Sequence, residues 1–129
     1  MKNRLLQGAI VTALLMWHTF SFSEPMRSET GFKNEVSPIL HDYCLNCHQP
    51  GGKGYEKSGL DMSSYQSLMK GTKFGSVINP GNALTSILIQ VVEGRVHASI
   101  KMPYGMNGGL AKDKIETLRK WVSQGAKDN

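Results

Sequence analysis

The feature that most constrains this chain is one pentapeptide, Cys44-Leu45-Asn46-Cys47-His48, which contains both of its cysteines. Domains held together by a disulfide framework carry four or more cysteines at wide spacings, so this chain is not one of them. Two thiols separated by two residues and followed at once by a histidine place three reactive side chains on one helical turn. The chemistry of this turn is the first thing the fold has to accommodate.

The CxxCH spacing is the attachment signal of a c-type haem. From one helical turn, the thiols of Cys44 and Cys47 reach the two vinyl groups of a single porphyrin. The ring of His48 then points at the iron from the same side. The motif therefore predicts one covalently attached haem, with His48 as an axial ligand of its iron.

Three other interpretations compete with haem attachment. A thioredoxin-like redox pair follows a buried strand, whereas the residues before Cys44 have helical periodicity. A zinc site would combine Cys44 and Cys47 with two of His41, His48 and His97, but the sequence has no second CxxC and no HxxxH pair. A disulfide between the two cysteines would be strained at this spacing. Haem attachment is the interpretation that the sequence favours.

The N-terminus has the pattern of a signal peptide over residues 1–23. Lys2 and Arg4 precede an apolar stretch over residues 5–17, and Ser21-Phe22-Ser23 provides the small-x-small pattern of a cleavage site. The apolar stretch is short for a bilayer span of roughly 20 residues, which favours cleavage after Ser23. We therefore expect an exported, periplasmic protein, which would be membrane-anchored only if the signal is retained.

Length and charge narrow the class of protein further. A chain of 129 residues forms one ordinary domain. Residues 24–30 form a polar, flexible lead-in, and we expect residues 31–129 to form the domain. Without the signal peptide, 13 basic and 10 acidic residues leave a net charge of +3. No basic run or interleaved basic and aromatic stretch is present, which argues against nucleic-acid binding.

Apolar periodicity predicts an all-α domain with long, glycine-rich loops. No segment shows the clean alternation of a strand. The predicted helices run from Gly31 to Cys47 with a break near Pro38, from Ser63 or Ser64 to Met69, from Leu84 to Gly94, and from Lys112 to Gln124, and the predicted loops cover Gln49–Gly59 and Lys101–Gly109.

The second axial ligand of the iron is predicted to be Met102. A thioether ligand favours reduced iron and raises the reduction potential, which suits electron transfer. Met102 lies in a glycine-rich loop 54 residues after His48, long enough to wrap to the opposite face of a haem, and Pro103 stiffens its backbone. The alternatives that stay open are Met106 in the same loop, the histidines His97 and His41, and an open sixth position.

The order of these segments resembles class I cytochromes c and, more closely, the planctomycete-type cytochrome c domain. The shared segments are Phe32–Leu40, the CLNCH motif, Ser58–Met62, Ile78–Asn82, Ser86–Ile89, Lys101–Pro103 and Leu110–Ala126. The resemblance implies a small helical fold wrapped around one haem, bound to Cys44 and Cys47 and ligated by His48 and Met102. It also implies a backbone acceptor for the ring N–H of His48 at Gly59 or Leu60, where this chain lacks the proline of its relatives.

The function expected from these features is one-electron transfer by iron that cycles between Fe(III) and Fe(II). The carboxylates are scattered, so no catalytic acid–base pair is visible and we expect no enzymatic activity. The alternative is a haem protein that binds or senses ligands through a labile or absent sixth ligand. We expect a monomeric carrier whose partners are redox proteins, acidic ones included. They would be steered by lysines at the haem rim, namely Lys53, Lys57, Lys70, Lys73 and Lys101.

Overall fold

The computed structural model describes residues 28–129. The predicted signal peptide and most of the predicted lead-in lie outside these residues. The described part is helical and contains no strand, only an isolated β-bridge between Thr72 and Gly75. Its elements are a π-helical segment over Phe32–Val36, α1 over Ser37–Tyr43, α2 over Lys53–Ser58, α3 over Tyr65–Lys70, α4 over Ile87–Val92, a 3₁₀ turn over Ala98–Ile100 and α5 over Lys112–Ser123. The all-α prediction is confirmed.

The first helical stretch is broken where the sequence predicts a break. The π-helical segment gives way to α1 at Ser37, with Pro38 in the first turn of α1. Proline is tolerated there because the first amides of a helix have no intrahelical acceptor. At the other end of α1, the carbonyl of Leu40 accepts the amides of Cys44 and Leu45, both at 2.9 Å. The helix therefore ends at the CLNCH motif.

The predicted loop over residues 49–59 is wrong in its centre, where the chain forms the six-residue helix α2. Glycine-rich sequence has low helix propensity, so the helix depends on contacts from elsewhere in the chain. From outside the helix, the carbonyl of Cys47 accepts the amide of Tyr55 at 2.9 Å; within the helix, the hydroxyl of Ser58 donates to the carbonyl of Gly54 at 2.7 Å. Gly59, at φ 74°, adopts the left-handed conformation that ends the helix.

The residues that precede α3 and α4 determine where these two helices begin. Ser64 caps α3 through the amide of Ser67, and Gly71 follows its last residue, as the sequence predicts. Helix α4 begins at Ile87, three residues later than predicted. The hydroxyl of Ser86 accepts the amide of Asn79 and donates to the carbonyl of Asn82, both at 2.8 Å, which holds the preceding residues in a turn.

Helix α5 closes the core against the start of the domain. Leu118, Trp121 and Val122 are buried as predicted, and the Trp121 ring lies 5.5 Å from that of Phe32 and 6.5 Å from that of Tyr65. Other members of the core include Val36, Leu40, Leu68, Ile78, Leu88, Ile89, Val92 and Ala126. Within residues 28–129, no helix has the length and apolar character that crossing a membrane requires.

Candidate haem-binding site

The CLNCH motif forms a single helical turn. The amides of Cys47 and His48 both donate to the carbonyl of Cys44, at 3.1 and 3.0 Å. This turn presents Cys47 to solvent and leaves Cys44 half-buried. Both thiols are free, so the two cysteines are not joined in a disulfide. The structure therefore places the three side chains of the motif on one helical turn, as the sequence predicts.

The thiols do not have the environment of a thiol redox pair. Burial raises the pKa of the Cys44 thiol to about 11, and the neighbouring Cys47 thiol adds to the shift. Catalytic cysteines of thioredoxin-like proteins work as thiolates, which requires a lowered pKa. The segment before Cys44 is helix α1 rather than a strand. Both observations oppose the thioredoxin-like alternative.

In the part of the chain that the structure describes, His41 and His97 do not complete a zinc site with the cysteines. Among residues 28–129, no group of three or more His, Cys, Asp or Glu side chains is placed to hold a metal ion. His41 is exposed beside Asp42, with its Nδ1 3.1 Å from the carboxylate. His97 is exposed and contacts the hydroxyl of Ser99 at 2.9 Å, where it caps the 3₁₀ turn. Neither alternative ligand joins the motif.

The ring of His48 lies in a cradle formed by α2 and the chain that follows it. We call this the His48 cradle, made of Gly54, Leu60 and Met62. A Cβ atom on Gly54 would lie 2.7 Å from Cε1 and 2.9 Å from Nδ1 of His48, so only glycine lets the helix approach the ring this closely. The amide of Met62 donates to the carbonyl of His48 at 2.8 Å. Ring and backbone are thus held by different parts of the cradle.

The Nδ1 atom of His48 is buried and makes no hydrogen bond of normal geometry in the structure. Burial lowers the pKa of His48, and the backbone of Leu60, which contacts the ring, partly opposes this shift. Of the two acceptors predicted for the ring N–H, Leu60 is therefore the one whose backbone interacts with it. A lowered pKa keeps the imidazole neutral near pH 7, the form in which it binds a metal.

The two methionines of the loop over residues 101–109 differ in their surroundings. The amide of Met102 donates to the carbonyl of Val91 in α4 at 3.0 Å, and its half-buried side chain packs against the core. Met106 is 41% exposed, and its amide contacts only the carbonyl of Pro103, at 3.3 Å. The fold therefore anchors Met102 to a helix and leaves Met106 at the tip of the loop.

These residues fit a c-type haem. The donor set contains two free thiols on one turn and a neutral, half-buried histidine whose buried Nδ1 faces a backbone group. Sequence reasoning missed α2 and the role of Gly54, because a glycine in a glycine-rich segment carries no sign of the side chain that it approaches. The one sequence feature that could have indicated this approach is that the glycine-rich segment directly follows the CLNCH motif.

The motif and its cradle are the features expected of a c-type cytochrome. Residues 44–103 match the family model described as Planctomycete cytochrome C, which confirms the resemblance predicted from the sequence. The matched segment includes Cys44, Cys47, His48 and Met102. Comparisons with curated proteins and with solved structures give no match. The match indicates haem c as the cofactor.

Proposed function

We propose that this chain is an exported monohaem cytochrome that carries one electron at a time. The observation that carries the proposal is the single turn that places Cys44, Cys47 and His48 together inside the segment matched by the family model. The full sequence contains one CxxCH motif, which supports a single haem. Cys44 and Cys47 would form the two thioether bonds, and His48 would be the proximal ligand.

Met102 is the distal ligand in this proposal. A bound haem would supply an iron that gains and loses a single electron, and a thioether ligand would raise its potential. Two contacts support Met102 over Met106: the hydrogen bond from its amide to Val91 and the packing of its side chain against the core. An anchored ligand keeps its position with little reorganisation, whereas the exposed Met106 has no comparable anchor.

The His48 cradle suits a group that has to keep its geometry. Gly54 limits the space beside the ring, and the Met62 amide fixes the carbonyl of the same residue. A ligand held by its neighbours in this way stays in its productive position without further ordering. The protein would then contribute ligation and shielding rather than catalysis, and we propose that it is not an enzyme.

We further propose that the carrier is periplasmic and monomeric and meets acidic redox proteins. Residues 1–23 supply the export signal in this proposal. The five lysines expected at the haem rim, Lys53, Lys57, Lys70, Lys73 and Lys101, are all exposed, which supports electrostatic steering of acidic partners. Neither His41 nor His97 is held in the cradle, so neither is placed to act as an acid–base group beside His48.

An optical spectrum of the exported protein tests this proposal. The full chain is expressed in a host with haem-ligation machinery, and the purified protein is recorded oxidised and reduced. We expect haem that stays attached in denaturant, a sharp reduced α-band and the weak red band of ferric iron bound by methionine. M102A should lose the red band, and the matched variant M106A should keep it.

The same samples separate the competing functions. Binding of carbon monoxide by the reduced wild type without denaturant, together with high-spin bands, would replace the carrier by a ligand-binding or sensing haem protein. Loss of the red band in M106A instead of M102A would make Met106 the ligand. Absence of covalent haem from a protein with intact cysteines would overturn the cytochrome proposal altogether.

A further inference from the structure

A tight turn over residues 72–75 projects from the segment between α3 and α4. Four hydrogen bonds close it. The Thr72 amide donates to the Gly75 carbonyl at 2.8 Å, and the Gly75 amide donates to the Thr72 carbonyl at 3.1 Å. The Thr72 hydroxyl donates to the Gly75 carbonyl at 3.0 Å and accepts the Phe74 amide at 3.0 Å. The backbone of this turn is therefore fixed.

The base of the turn, at Gly71, is tightly packed. A Cβ atom on Gly71 would lie 2.5 Å from the carbonyl oxygen of Gly75 and 2.7 Å from the Cα atom of Ser76. Gly71 also has a φ of 79°, which glycine adopts without strain. Glycine at this position lets the two sides of the turn approach each other.

The tip of the turn presents an aromatic ring to solvent. The Phe74 side chain is 81% exposed, and the Nζ atom of Lys73 lies 5.3 Å from the centre of its ring. Apolar area left in water is unfavourable, at about 25 cal/mol per Å², and a phenylalanine ring is a large apolar group. A fixed backbone that holds such a ring outward favours a use for it at an interface.

The turn is joined to the element that carries the His48 cradle. The amide of Lys73 donates to the carbonyl of Ser58, the last residue of α2, at 2.9 Å. One turn earlier in the same helix, Gly54 contacts the ring of His48. The exposed ring is therefore one short helix away from the proposed proximal ligand of the iron.

The segment that leads to the turn is rich in exposed lysines. The stretch over residues 53–75 contains four lysines and two acidic residues. The lysines, all of them exposed, are Lys53, Lys57, Lys70 and Lys73. The ion pairs found among residues 28–129 include none of the four. Lys53 and Lys57 are four residues apart in α2 and share one face of it.

We propose that Phe74 is the apolar anchor of a docking surface for an acidic redox protein, with Lys53, Lys57 and Lys73 supplying the complementary charge. The partner would present carboxylates around a shallow apolar recess that receives the ring. This inference rests on the proposed electron-carrier function. A single aromatic anchor with peripheral charges gives a small, short-lived interface, which a carrier needs in order to leave its partner. A membrane surface fits less well, because interfacial binding needs a larger apolar face than one ring.

Adsorption of the oxidised holoprotein on chemically defined monolayers tests the anchor. The probes are gold surfaces that carry carboxylate-terminated chains alone or a mixture of carboxylate- and methyl-terminated chains. We expect F74S to bind the mixed surface roughly tenfold more weakly than the wild type and the carboxylate surface equally well. The matched control is L84S, which alters another exposed apolar side chain, 63% exposed, before α4 and should match the wild type on both surfaces.

Charge variants test the second part of the surface. K57Q and K73Q should weaken adsorption on both monolayers and reduce its dependence on salt, because screening acts on exposed charges. The matched variant K33Q removes an exposed lysine from the π-helical segment and should leave adsorption unchanged.

Three results would overturn the docking surface. The first is F74S binding the mixed monolayer like the wild type. The second is a changed visible spectrum or reduction potential of F74S, which would mean that Phe74 packs against the haem. The third is loss of F74S binding to phosphatidylglycerol vesicles with no loss on the mixed monolayer, which would make the turn a membrane contact. A wild type that adsorbs as expected but lacks the spectrum of methionine-ligated iron would reject the electron-carrier proposal and leave the surface in place.

Discussion

Two parts of this domain are held together in different ways. The first, which we call the terminal core, joins α5 to the start of the domain through Phe32, Tyr65 and Trp121, with ring centres 5.2 to 6.5 Å apart. The second is the His48 cradle, in which a glycine approaches a ring and a buried nitrogen has no normal hydrogen bond. In the terminal core the polar atoms of two aromatic side chains have acceptors: the Trp121 ring N–H donates to the carbonyl of Lys127 at 2.9 Å, and the Tyr65 hydroxyl donates to that of Ala126 at 2.8 Å.

This difference predicts how each part should respond to substitution. In the terminal core, stability is spread over many apolar contacts, so removing a side chain should lower the free energy of unfolding and leave the haem site alone. In the cradle, the position of the His48 ring depends on the lack of a side chain at Gly54. Adding one methyl group there should therefore disturb His48 directly. Stability and reduction potential are thus expected to respond to different residues.

The largest expected effect is on stability, in the terminal core. Trp121 is 1% exposed, and W121A would remove its ring and the hydrogen bond to Lys127. We expect the free energy of unfolding of the holoprotein to fall by about 3–5 kcal/mol. Denaturant unfolding followed by far-UV circular dichroism measures this fall. If W121A folds at all, its reduction potential should stay within experimental error of the wild type.

Two control variants accompany that prediction. W121F retains most of the apolar volume and should lose less stability, which keeps the test informative if W121A fails to fold. F74A removes an exposed aromatic side chain and should change the free energy of unfolding by less than about 0.5 kcal/mol. A W121F protein with an altered potential would show that the two parts are coupled and that the comparison fails.

The second effect belongs to the His48 cradle. Alanine stabilises a helix over glycine by about 1 kcal/mol, and helix propensity alone would make G54A a stabilising change. The new Cβ would lie 2.7 Å from Cε1 of His48, however, and overpacking of this kind costs about 1–3 kcal/mol. We expect a net loss of up to about 2 kcal/mol together with a shifted reduction potential, because the ring of His48, the proposed axial ligand, must turn or move away. Voltammetry and thermal melting of the holoprotein measure both.

The control for the cradle lies on the same helix. E56A alters an exposed side chain of α2 and should leave the potential unchanged. If G54A melts at a higher temperature than the wild type with an unaltered potential, then the ring of His48 does not depend on the glycine and the cradle has no positioning role.

These two parts also differ in how far the sequence could predict them. The apolar spacing of Leu118, Trp121 and Val122 predicts the buried face of α5, because helical periodicity is a local property. The short helix α2 could not be predicted, because the Tyr55 amide and the Cys47 carbonyl that hold it come from separate segments. The CLNCH motif predicts the site chemistry, since that chemistry resides in three adjacent side chains. How closely Gly54 approaches His48 is visible only in the fold.

A third, smaller effect concerns the link between α4 and α5. Burial alone would raise the pKa of Glu93, but hydrogen bonds and charge from Arg95 and Arg119 overcome it and hold this pKa below its usual 4.5. The Nη1 atom of Arg119 donates to the Glu93 carboxylate at 2.6 Å, and the Glu93 side chain is only 18% exposed. E93Q should therefore lower the free energy of unfolding by about 1 kcal/mol at pH 7.

The effect of pH sharpens this prediction. A carboxylate whose pKa is lowered in the folded state stabilises the protein above its ordinary pKa and loses that contribution as the pH falls through the folded value. The difference in stability between wild type and E93Q should thus be largest near neutral pH and shrink below 4.5. E116Q, on the exposed face of α5, is the matched control and should show no such trend. An E93Q difference that stays constant with pH would rule out an electrostatic origin.

The smallest expected effect would strengthen the terminal core without touching the cradle. Ala111 precedes α5 in an extended conformation, φ −61° and ψ 147°, and provides no side-chain cap. A serine there can accept the amide of Lys114, as Ser64 does with the amide of Ser67 at α3, so A111S should stabilise by about 0.5–1 kcal/mol. K112S places the serine one residue too late and should give no gain. A thermal melt of A111S that matches the wild type would mean that α5 begins elsewhere, whereas a gain with an unchanged reduction potential would show that the terminal core can be stabilised independently of the His48 cradle.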